Sequence, residues 1–528
     1  LFLYWSIRLL AKDTKKARIL SFVYWIVFSI LLTWISMVTL YYLNRHILFL
    51  NKVLSDVNSV EVEISSEVVM WFKTIKNIFE SYESSLEGKI GPTSRKNFVV
   101  ELQEAFSHYR SQTYNQISKN SKKLKVIDLI GFNNLVLRYF ESSMKNNLNK
   151  SLYSAYNTIN IDKTNEINVS ALFPMLEGQV SALSSGQVKP KEAINILSSL
   201  FKSDMYQPEQ NSFMLYPRKK LKRFLDKNIV PDNIVDDCNL FKNLIEQKNT
   251  EILYIDDVGN YRFNESLINS NFLEKKLDLL LKVEKYAKDI QKEKNKILNY
   301  YLEIFDHQNY TGRSGTMYAY EGIGSIYWHM VSKLLLATQE LFFEAVNKKE
   351  DISIVKELGD LYYKIRAGLS SDKTPEQYGA FPYDPYSHTP YKRGAQQPGM
   401  TGQVKEEIIT RMGELGCSLK NGKLVFQTNL LKLSEFLKED AVFSYVDINH
   451  NFCEYSLKPQ QLAFTYCQVP IIYQLSEQDY NLSVSFNNQT TEDISGKILP
   501  AEISNKLFSR SGEIKEIKVS CLKSSFIL

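Results

Sequence analysis

Residues 312–333 contain side chains that can bind a ligand and one carboxyl group that can donate a proton to it. Their sequence is GRSGTMYAYEGIGSIYWHMVSK. The stretch holds four glycines, three tyrosines, a tryptophan, a histidine, an arginine and one carboxylate. We predict a turn over 311–316 and a helix from about Met317 to Val346. The alternative is a polar seam between packed helices, in which His329 is a core histidine. Helical spacing places five polar side chains on one face, namely Tyr318, Glu321, Ser325, His329 and Ser332.

Three further stretches, 175–187, 205–217 and 381–403, have a similar mixture of amides, carboxylates and aromatic rings. Amide and carboxylate groups pair with sugar hydroxyls, and aromatic rings pack on the apolar faces of sugars. Cleavage of a sugar linkage needs two carboxylates, or one carboxylate with an external nucleophile such as water or phosphate. These stretches therefore predict a shared carbohydrate site in one concave pocket.

The predicted catalytic residues are Glu321 as general acid, with Asp384 or Glu177 as the base or the water-orienting group. For each acid taken alone, a structural or substrate-orienting role is the alternative. Asp384, His388 and His329 lack metal-ligand spacing, so we expect no metal. The predicted substrate-binding residues are Glu209, Gln210, Arg313, Tyr318, Tyr320, Trp328, His329, Tyr386, His388, Gln396, Gln397 and Gln403.

The composition and charge of the chain argue against several classes of protein. The chain is 44% hydrophobic and 12% aromatic, which is typical of a folded protein. Its net charge of +5 is spread along the chain without a long basic run, so we expect no nucleic-acid partner. Its five cysteines form no CxxC pair, which argues against a disulfide framework or a zinc site.

Residues 19–44 contain no charged side chain and are long enough to span a bilayer. Aromatic residues lie near both ends, and the preceding KDTKKAR segment is basic. We expect a single membrane span that anchors the protein with its N-terminal side in the cytoplasm. A buried helix in a cytoplasmic protein is the alternative. Because residue 1 is Leu, we also expect a missing N-terminal half or a partner chain.

Apolar residues at three- and four-residue spacing dominate from 46 to 370 and predict many amphipathic helices. A hairpin is predicted near Gly259 and Asn260. Alternating apolar residues after 404 predict strands. The resulting fold class is mainly α, a helical barrel or toroid of antiparallel helix pairs followed by a small C-terminal β-domain; the resemblance described below implies that the toroid is of the (α/α)6 type. The predicted domains are an apolar segment over 1–50, the toroid over 51–370, a pocket loop over 371–403 and the β-domain over 404–528.

Several long motifs resemble a known family, from about residue 95 to 520. They include LYSAYNTI, MLEGQVSALSSG, QNSFMLYPRKKLKRFLDKN, GRSGTMYAYEGIGSIYWHMVSKLLLA and GAQQPGMTGQVKEEIITRMGELG. These motifs resemble the C-terminal half of large bacterial proteins related to cellobiose phosphorylases, which have a six-hairpin (α/α)6 toroid. The Trp-Asn-Asp motif that carries the catalytic aspartate of those enzymes is absent from this sequence.

The resemblance implies a glycoside hydrolase or phosphorylase that acts on a β-glucan or oligosaccharide by carboxylate acid–base catalysis. No cofactor is expected, apart from inorganic phosphate as co-substrate of a phosphorylase. The alternative is a non-catalytic glycan-binding or scaffold protein on the same fold. Fold analogy does not decide between them, because unrelated functions share folds.

Overall fold

The chain is divided into two compact units, and the smaller is an insertion in the larger. The computed structural model describes residues 36–56, 60–88, 90–115, 120–161, 166–217, 226–306, 326–369, 374 and 401–527. The larger unit comprises 1–217 and 326–528, and the smaller comprises 218–325. Met214 and Ile326 lie on either side of the insertion in the sequence and form an antiparallel bridge. Backbone pairing therefore joins the two parts of the larger unit.

The described helices are numbered in chain order, and α7 to α10 belong to the inserted unit. They are α1 Met37–Ser55, α2 Ser66–Ser81, α3 Pro92–Asn115, α4 Val126–Asn147, α5 Leu176–Leu183, α6 Pro190–Phe201, α7 Asp232–Asp236, α8 Asn239–Glu246, α9 Ser270–Leu280, α10 Glu284–Phe305, α11 Trp328–Lys348, α12 Ile352–Arg366, α13 Thr401–Glu414 and α14 Ala501–Phe508.

The described strands form seven two-stranded sheets and one five-stranded sheet of order β15-β16-β19-β17-β18. The two-stranded sheets each pair consecutive strands, from β1-β2 to β13-β14. The strands are β1 Glu61–Ser65, β2 Ser121–Lys125, β3 Leu148–Asn149, β4 Leu152–Tyr153, β5 Asn157–Ile161, β6 Ile167–Ala171, β7 Tyr206–Gln207, β8 Ser212–Phe213, β9 Leu253–Ile255, β10 Tyr261–Phe263, β11 Cys417–Lys420, β12 Lys423–Phe426, β13 Ala441–Val446, β14 Phe452–Leu457, β15 Gln461–Tyr466, β16 Val469–Ser476, β17 Asn481–Phe486, β18 Thr491–Ser495 and β19 Ile514–Leu522.

The predicted mainly-α toroid is wrong. The described residues form a mixed helix and sheet fold in which hairpins separate the helices, and they contain no toroid. The segment 167–171 shows one reason for the error. It lies within 46–370, where apolar spacing predicts helices, but Ile167 and Val169 alternate with polar residues and form β6, which pairs with β5. Period-two alternation is the pattern of a strand, and five residues are too few to separate it from a helical pattern.

The helices of the larger unit share one hydrophobic core. Side chains from α1 to α6, α11 and α12 contribute to it, and Tyr41, Phe72, Phe342 and Tyr362 are among its fully buried aromatic residues. Burial of each such side chain stabilises the fold by roughly 1.5–3 kcal/mol. This core holds α11 against α5 and α12, and α1 against α5, and so it sets the positions of the polar residues described below.

The C-terminal region has its own core around the five-stranded sheet. Strands β16 and β19 are parallel neighbours, and β15, β17 and β18 complete the sheet in antiparallel pairings. Ile471, Tyr473, Val484 and Ile517 are buried between this sheet and its covering elements. The strands predicted after residue 404 are therefore confirmed.

Only the last part of the predicted membrane span can be located. Residues 19–35 lie outside the described residues, and Met37–Asn44 form the first turns of α1. Met37, Leu40 and Tyr41 are buried in the helical core. In the described part of the chain, no helix is both long and apolar enough to cross a bilayer.

The inserted unit has a separate core, built by α7 to α10 and a hairpin. Strands β9 and β10 pair antiparallel, and Gly259 in their connection has φ +92°, a conformation that glycine adopts without strain. The predicted hairpin is therefore confirmed. Phe241, Phe263 and Tyr301 are buried in this core.

Candidate functional site

Four polar or half-buried side chains form a stripe along α11. The side chains of the stripe are three or four residues apart, so they lie on one face of the helix, and each is half-buried. They are His329, Lys333, Leu336 and Glu340. The helix begins at Trp328, because Ile326 and Tyr327 are extended: Tyr327 N–H donates to Phe213 O at 3.4 Å. The predicted continuous helix is therefore wrong at 326 and 327, where the backbone pairs with the β8 segment, and residues 311–325 of the predicted turn and helix lie outside the described residues.

Helix α1 contributes a basic and an aromatic side chain to this stripe. The Arg45 guanidinium donates to both carboxylate oxygens of Glu340, at 2.7 and 2.8 Å. Arg45 also donates to Ser184 O at 3.4 Å, and Asn44 Nδ2 donates to Ser185 O at 2.9 Å. These bonds hold the end of α5 beside α1 and α11.

Tyr42 lies three residues before Arg45 on α1, and the charges of three carboxylates act on it. Burial raises the pKa of Tyr42, Arg45 opposes this, and the charges of Glu340, Glu177 and Glu406 raise it further. Glu177 is half-buried at the start of α5, where Tyr156 Oη donates to its Oε2 at 2.8 Å. The predicted acid Glu177 is therefore part of a larger group of charges.

Helix α13 brings Lys405 and Glu406 to the other end of the stripe. Glu406 is only 3% exposed, and its Oε1 lies 3.2 Å from Lys405 Nζ. Its Oε2 is buried and has no hydrogen-bond partner among the described residues. Burial lowers the pKa of His329, Lys333 and Lys405 lower it further, and Glu406 opposes them. Two ammonium groups and one carboxylate thus act on the predicted ligand residue His329.

We call this group the α11 cluster. It is bipolar: a basic end can bind an anion, and an acidic end can accept hydrogen bonds from hydroxyl groups. The cluster consists of Tyr42, Arg45, Glu177, His329, Lys333, Glu340, Lys405 and Glu406.

A second charge network anchors α13 to its neighbours. Glu414 is 1% exposed and accepts hydrogen bonds from Tyr362 Oη at 2.6 Å, Arg366 Nε at 2.9 Å and Arg411 Nη1 at 2.7 Å. Gln339 of α11 donates to Thr410 O at 2.8 Å. These contacts fix α13 against α11 and α12, and therefore fix where Lys405 and Glu406 lie.

Close packing at Gly413 reinforces this position. A Cβ atom there would lie 2.2 Å from Gln339 Oε1, so a larger residue would force α13 and α11 apart or displace the glutamine. The glycine thus permits the helix contact on which the basic end of the cluster depends.

Three of the four predicted site segments meet through their backbones. Leu176 N–H donates to Leu215 O at 3.0 Å, and Phe213 O accepts from Tyr327 N–H. Glu209 and Gln210 lie in the short helix Pro208–Gln210 between β7 and β8, where Glu209 is exposed and accepts from Gln207 Nε2 at 2.7 Å. Trp328 is half-buried and packs against the helical core.

The remaining predicted residues cannot be placed. The described residues do not include the two other predicted acids or most predicted ligand residues, and the side chain of Gln403 at the start of α13 is likewise outside them. Those outside are Arg313, Tyr318, Tyr320, Glu321, Asp384, Tyr386, His388, Gln396 and Gln397.

Sequence reasoning missed six members of the α11 cluster. Lys333 and Glu340 had a readable signal, because they continue the helical spacing of His329. The others come from α1 and α13, which no local pattern connects to α11. The missed residues are Tyr42, Arg45, Lys333, Glu340, Lys405 and Glu406.

Comparison with known families finds a similarity within the inserted unit. Residues 221–308 match the model of the GH149 phosphorylase insertion domain 2. These residues lie within the unit that the structure separates as 218–325. The match relates the chain to glycoside phosphorylases and supports a carbohydrate-active protein, whereas it carries no specific relation to cellobiose phosphorylases. No curated protein matches the chain.

Proposed function

We propose that this chain acts in a glycoside phosphorylase that cleaves an oligosaccharide or β-glucan with inorganic phosphate. The observation that carries the proposal is the bipolar α11 cluster, in which the charges of Lys333, Lys405 and Glu406 act on His329, while those of Glu177, Glu340 and Glu406 act on Tyr42. Phosphorolysis requires such a pair of subsites, because a doubly charged anion must attack a neutral, hydroxyl-rich substrate. The match of the inserted unit to a phosphorylase insertion domain supports the same reaction class.

The basic end of the cluster suits phosphate. Ammonium groups bind phosphate as point charges, and imidazole donates a directed N–H. Because burial and the two lysines lower the pKa of His329, the protein favours its neutral imidazole form. Bound phosphate would favour the protonated form and gain a charge-assisted hydrogen bond.

The acidic end suits the sugar. Glu177 and Glu340 offer acceptor oxygens for hydroxyl groups, and Tyr42 offers an aromatic ring and a phenol. In the reaction, a phosphate oxygen bonds to the anomeric carbon as the glycosidic C–O bond breaks. An acid then supplies the proton to the leaving oxygen. Glu321 remains our proposed acid, with Asp384 or Glu177 as the base or orienting group.

Alanine substitution of Lys333 tests the phosphate subsite. We expect the full chain to release sugar 1-phosphate from a β-glucan oligosaccharide only when phosphate is present. Lys333→Ala should raise KM for phosphate by about tenfold, the effect of losing one charged hydrogen bond. Lys348→Ala is the matched control, since Lys348 lies in the last turn of the same helix and pairs with Glu344.

Equal phosphate KM values for the two lysine variants would refute the proposed subsite. Glu321→Gln tests the acid separately, and turnover should fall about 10²-fold or more while sugar binding persists. Full activity in Glu321→Gln would remove this residue from the mechanism.

A non-catalytic glycan-binding protein is the second candidate. The absence of a Trp-Asn-Asp motif from the sequence favours it. A chain that binds glycans, but turns none over with or without phosphate, would establish this second function and exclude the first.

A further inference from the structure

We propose that Glu406 is a substrate-binding residue, whose Oε2 accepts a hydrogen bond from a sugar hydroxyl next to the phosphate subsite. The proposal rests on the proposed phosphorylase function. Glu406 is 3% exposed, yet Oε2 has no hydrogen-bond partner in the described part of the chain. A buried carboxylate oxygen without a donor is costly, so its retention points to a donor supplied by a ligand.

The other buried glutamates show that this chain can satisfy such oxygens. Glu414 accepts from a tyrosine and two arginines. Glu293 accepts from two backbone N–H groups and from the Cys238 thiol. Glu406 Oε2 is the only carboxylate oxygen of the described chain that is buried without a partner. Among the buried carboxylates of the described residues, an open acceptor oxygen is therefore particular to Glu406.

The surrounding charges decide which kind of donor fits. Lys405 already lies against Oε1, and the electrostatic influence of Glu406 on His329 opposes that of Lys333. A second cation at Oε2 would be repelled by these basic groups, and an anion would be repelled by the carboxylate itself. A neutral donor is repelled neither by the basic groups nor by the carboxylate, and the hydroxyl of a sugar is such a donor.

The position of Glu406 suits a residue that binds the sugar. Glu406 influences both His329 at the basic end and Tyr42 at the acidic end of the cluster. A hydroxyl held at Oε2 would lie beside the phosphate subsite, because Lys405 contacts the other oxygen of the same carboxylate. Glu406 would thus orient the sugar ring that phosphate attacks.

Glu406→Gln in the full chain tests the proposal, with laminaripentaose and cellopentaose as probes. Calorimetry without phosphate should show about a tenfold or larger loss of affinity for the pentaose that the wild-type chain binds. Affinity for inorganic phosphate alone should stay the same or rise, because Glu406 donates no hydrogen bond to phosphate and its negative charge repels the anion. Glu357→Gln, an exposed carboxylate on α12, is the control and should bind as the wild type does.

Several outcomes would overturn the proposal. These are unchanged pentaose affinity in Glu406→Gln, equal losses of pentaose and phosphate affinity, or a wild-type chain that binds neither pentaose. If Glu406→Gln does not fold, Glu406→Asp keeps the charge and withdraws the oxygens, and the same selective loss is expected. A wild-type chain that binds the pentaose through Glu406 but releases no sugar phosphate would refute the phosphorylase function and leave this inference intact.

Discussion

Glu293 in the inserted unit and Glu406 in the larger unit are 5% and 3% exposed, but their oxygens have different surroundings. Glu293 Oε1 accepts from Asn239 N–H at 3.2 Å, and Oε2 accepts from Leu240 N–H at 3.0 Å. It therefore caps the N-terminus of α8, where a negative charge is favourable. Glu406 has one paired and one unpaired oxygen among the described residues.

This contrast separates two uses of a buried charge. Glu293 joins α10 to α8, and Glu414 joins α12 to α13, so both stabilise helix packing. Glu406 leaves an acceptor open beside His329 and Tyr42. If the distinction is correct, substitution by glutamine should affect stability most at Glu414, less at Glu293 and least at Glu406.

Glu414→Gln should have the largest effect. It leaves the guanidinium groups of Arg366 and Arg411 without their buried carboxylate partner, and breaking such a pair costs about 3–5 kcal/mol of unfolding free energy. Urea unfolding would measure it. Glu435→Gln is the control, because the side chain of Glu435 is 26% exposed and shares only Arg411, so a loss of about 1 kcal/mol or less is expected. Equal losses in the two variants would contradict a special role for Glu414.

Glu293→Gln should have an intermediate effect that depends on pH. Burial raises the pKa of Glu293, but hydrogen bonds from Leu240, Asn239 and Cys238 outweigh it, so the net pKa is lowered. A folded pKa below the unfolded value means that the stabilisation is present at neutral pH. It is lost as pH falls below about 4.3, the unfolded value, and through the folded pKa.

Hydrogen exchange of residues 239–246 would measure this effect in the inserted unit. At pH 7, Glu293→Gln should lower the free energy of opening by about 1–3 kcal/mol, the contribution of hydrogen bonds to a charged group. Between pH 5 and the folded pKa of Glu293, the free energy of opening should fall less steeply with decreasing pH in the variant than in the wild type. The same acid dependence in both proteins would show that Glu293 is not the group responsible.

Glu406→Gln should have the smallest effect on stability, with either no change or a gain of up to about 1 kcal/mol. It removes a charge whose desolvation is only partly compensated, and neutral replacements of such groups are often tolerated. Urea unfolding of this variant beside Glu414→Gln would compare the two sites of α13 directly. A loss above about 2 kcal/mol would mean that Glu406 is a structural residue like Glu414.

Local patterns determined several elements correctly. The amphipathic spacing in 68–86 and 129–148 predicts two helices, and the structure contains helices in these regions as α2 and α4. The turn signal at Gly259 and Asn260 predicts the β9-β10 hairpin, and alternation predicts the C-terminal strands. These signals are readable because period and turn preference depend on residues that are close in the chain.

Other features depend on contacts between distant segments. The start of α11 is set by the pairing of Ile326 with Met214, which lies across a whole inserted unit. The helical spacing around His329 gives no sign of that interruption. The toroid was inferred from the number of helices, but the number of helices does not specify how they pack or where hairpins intervene.

The candidate site also combines residues that the sequence makes recognisable with contacts that only the tertiary structure determines. From the sequence alone, Glu177 and His329 were recognisable as polar residues in unusual company. Their association with Tyr42, Arg45 and Glu406 was decided by the packing of α1, α5, α11 and α13, which brings together charges from opposite parts of the chain. Residue type determines which chemistry a side chain can perform, whereas burial and long-range contacts determine which oxygen remains available to a ligand.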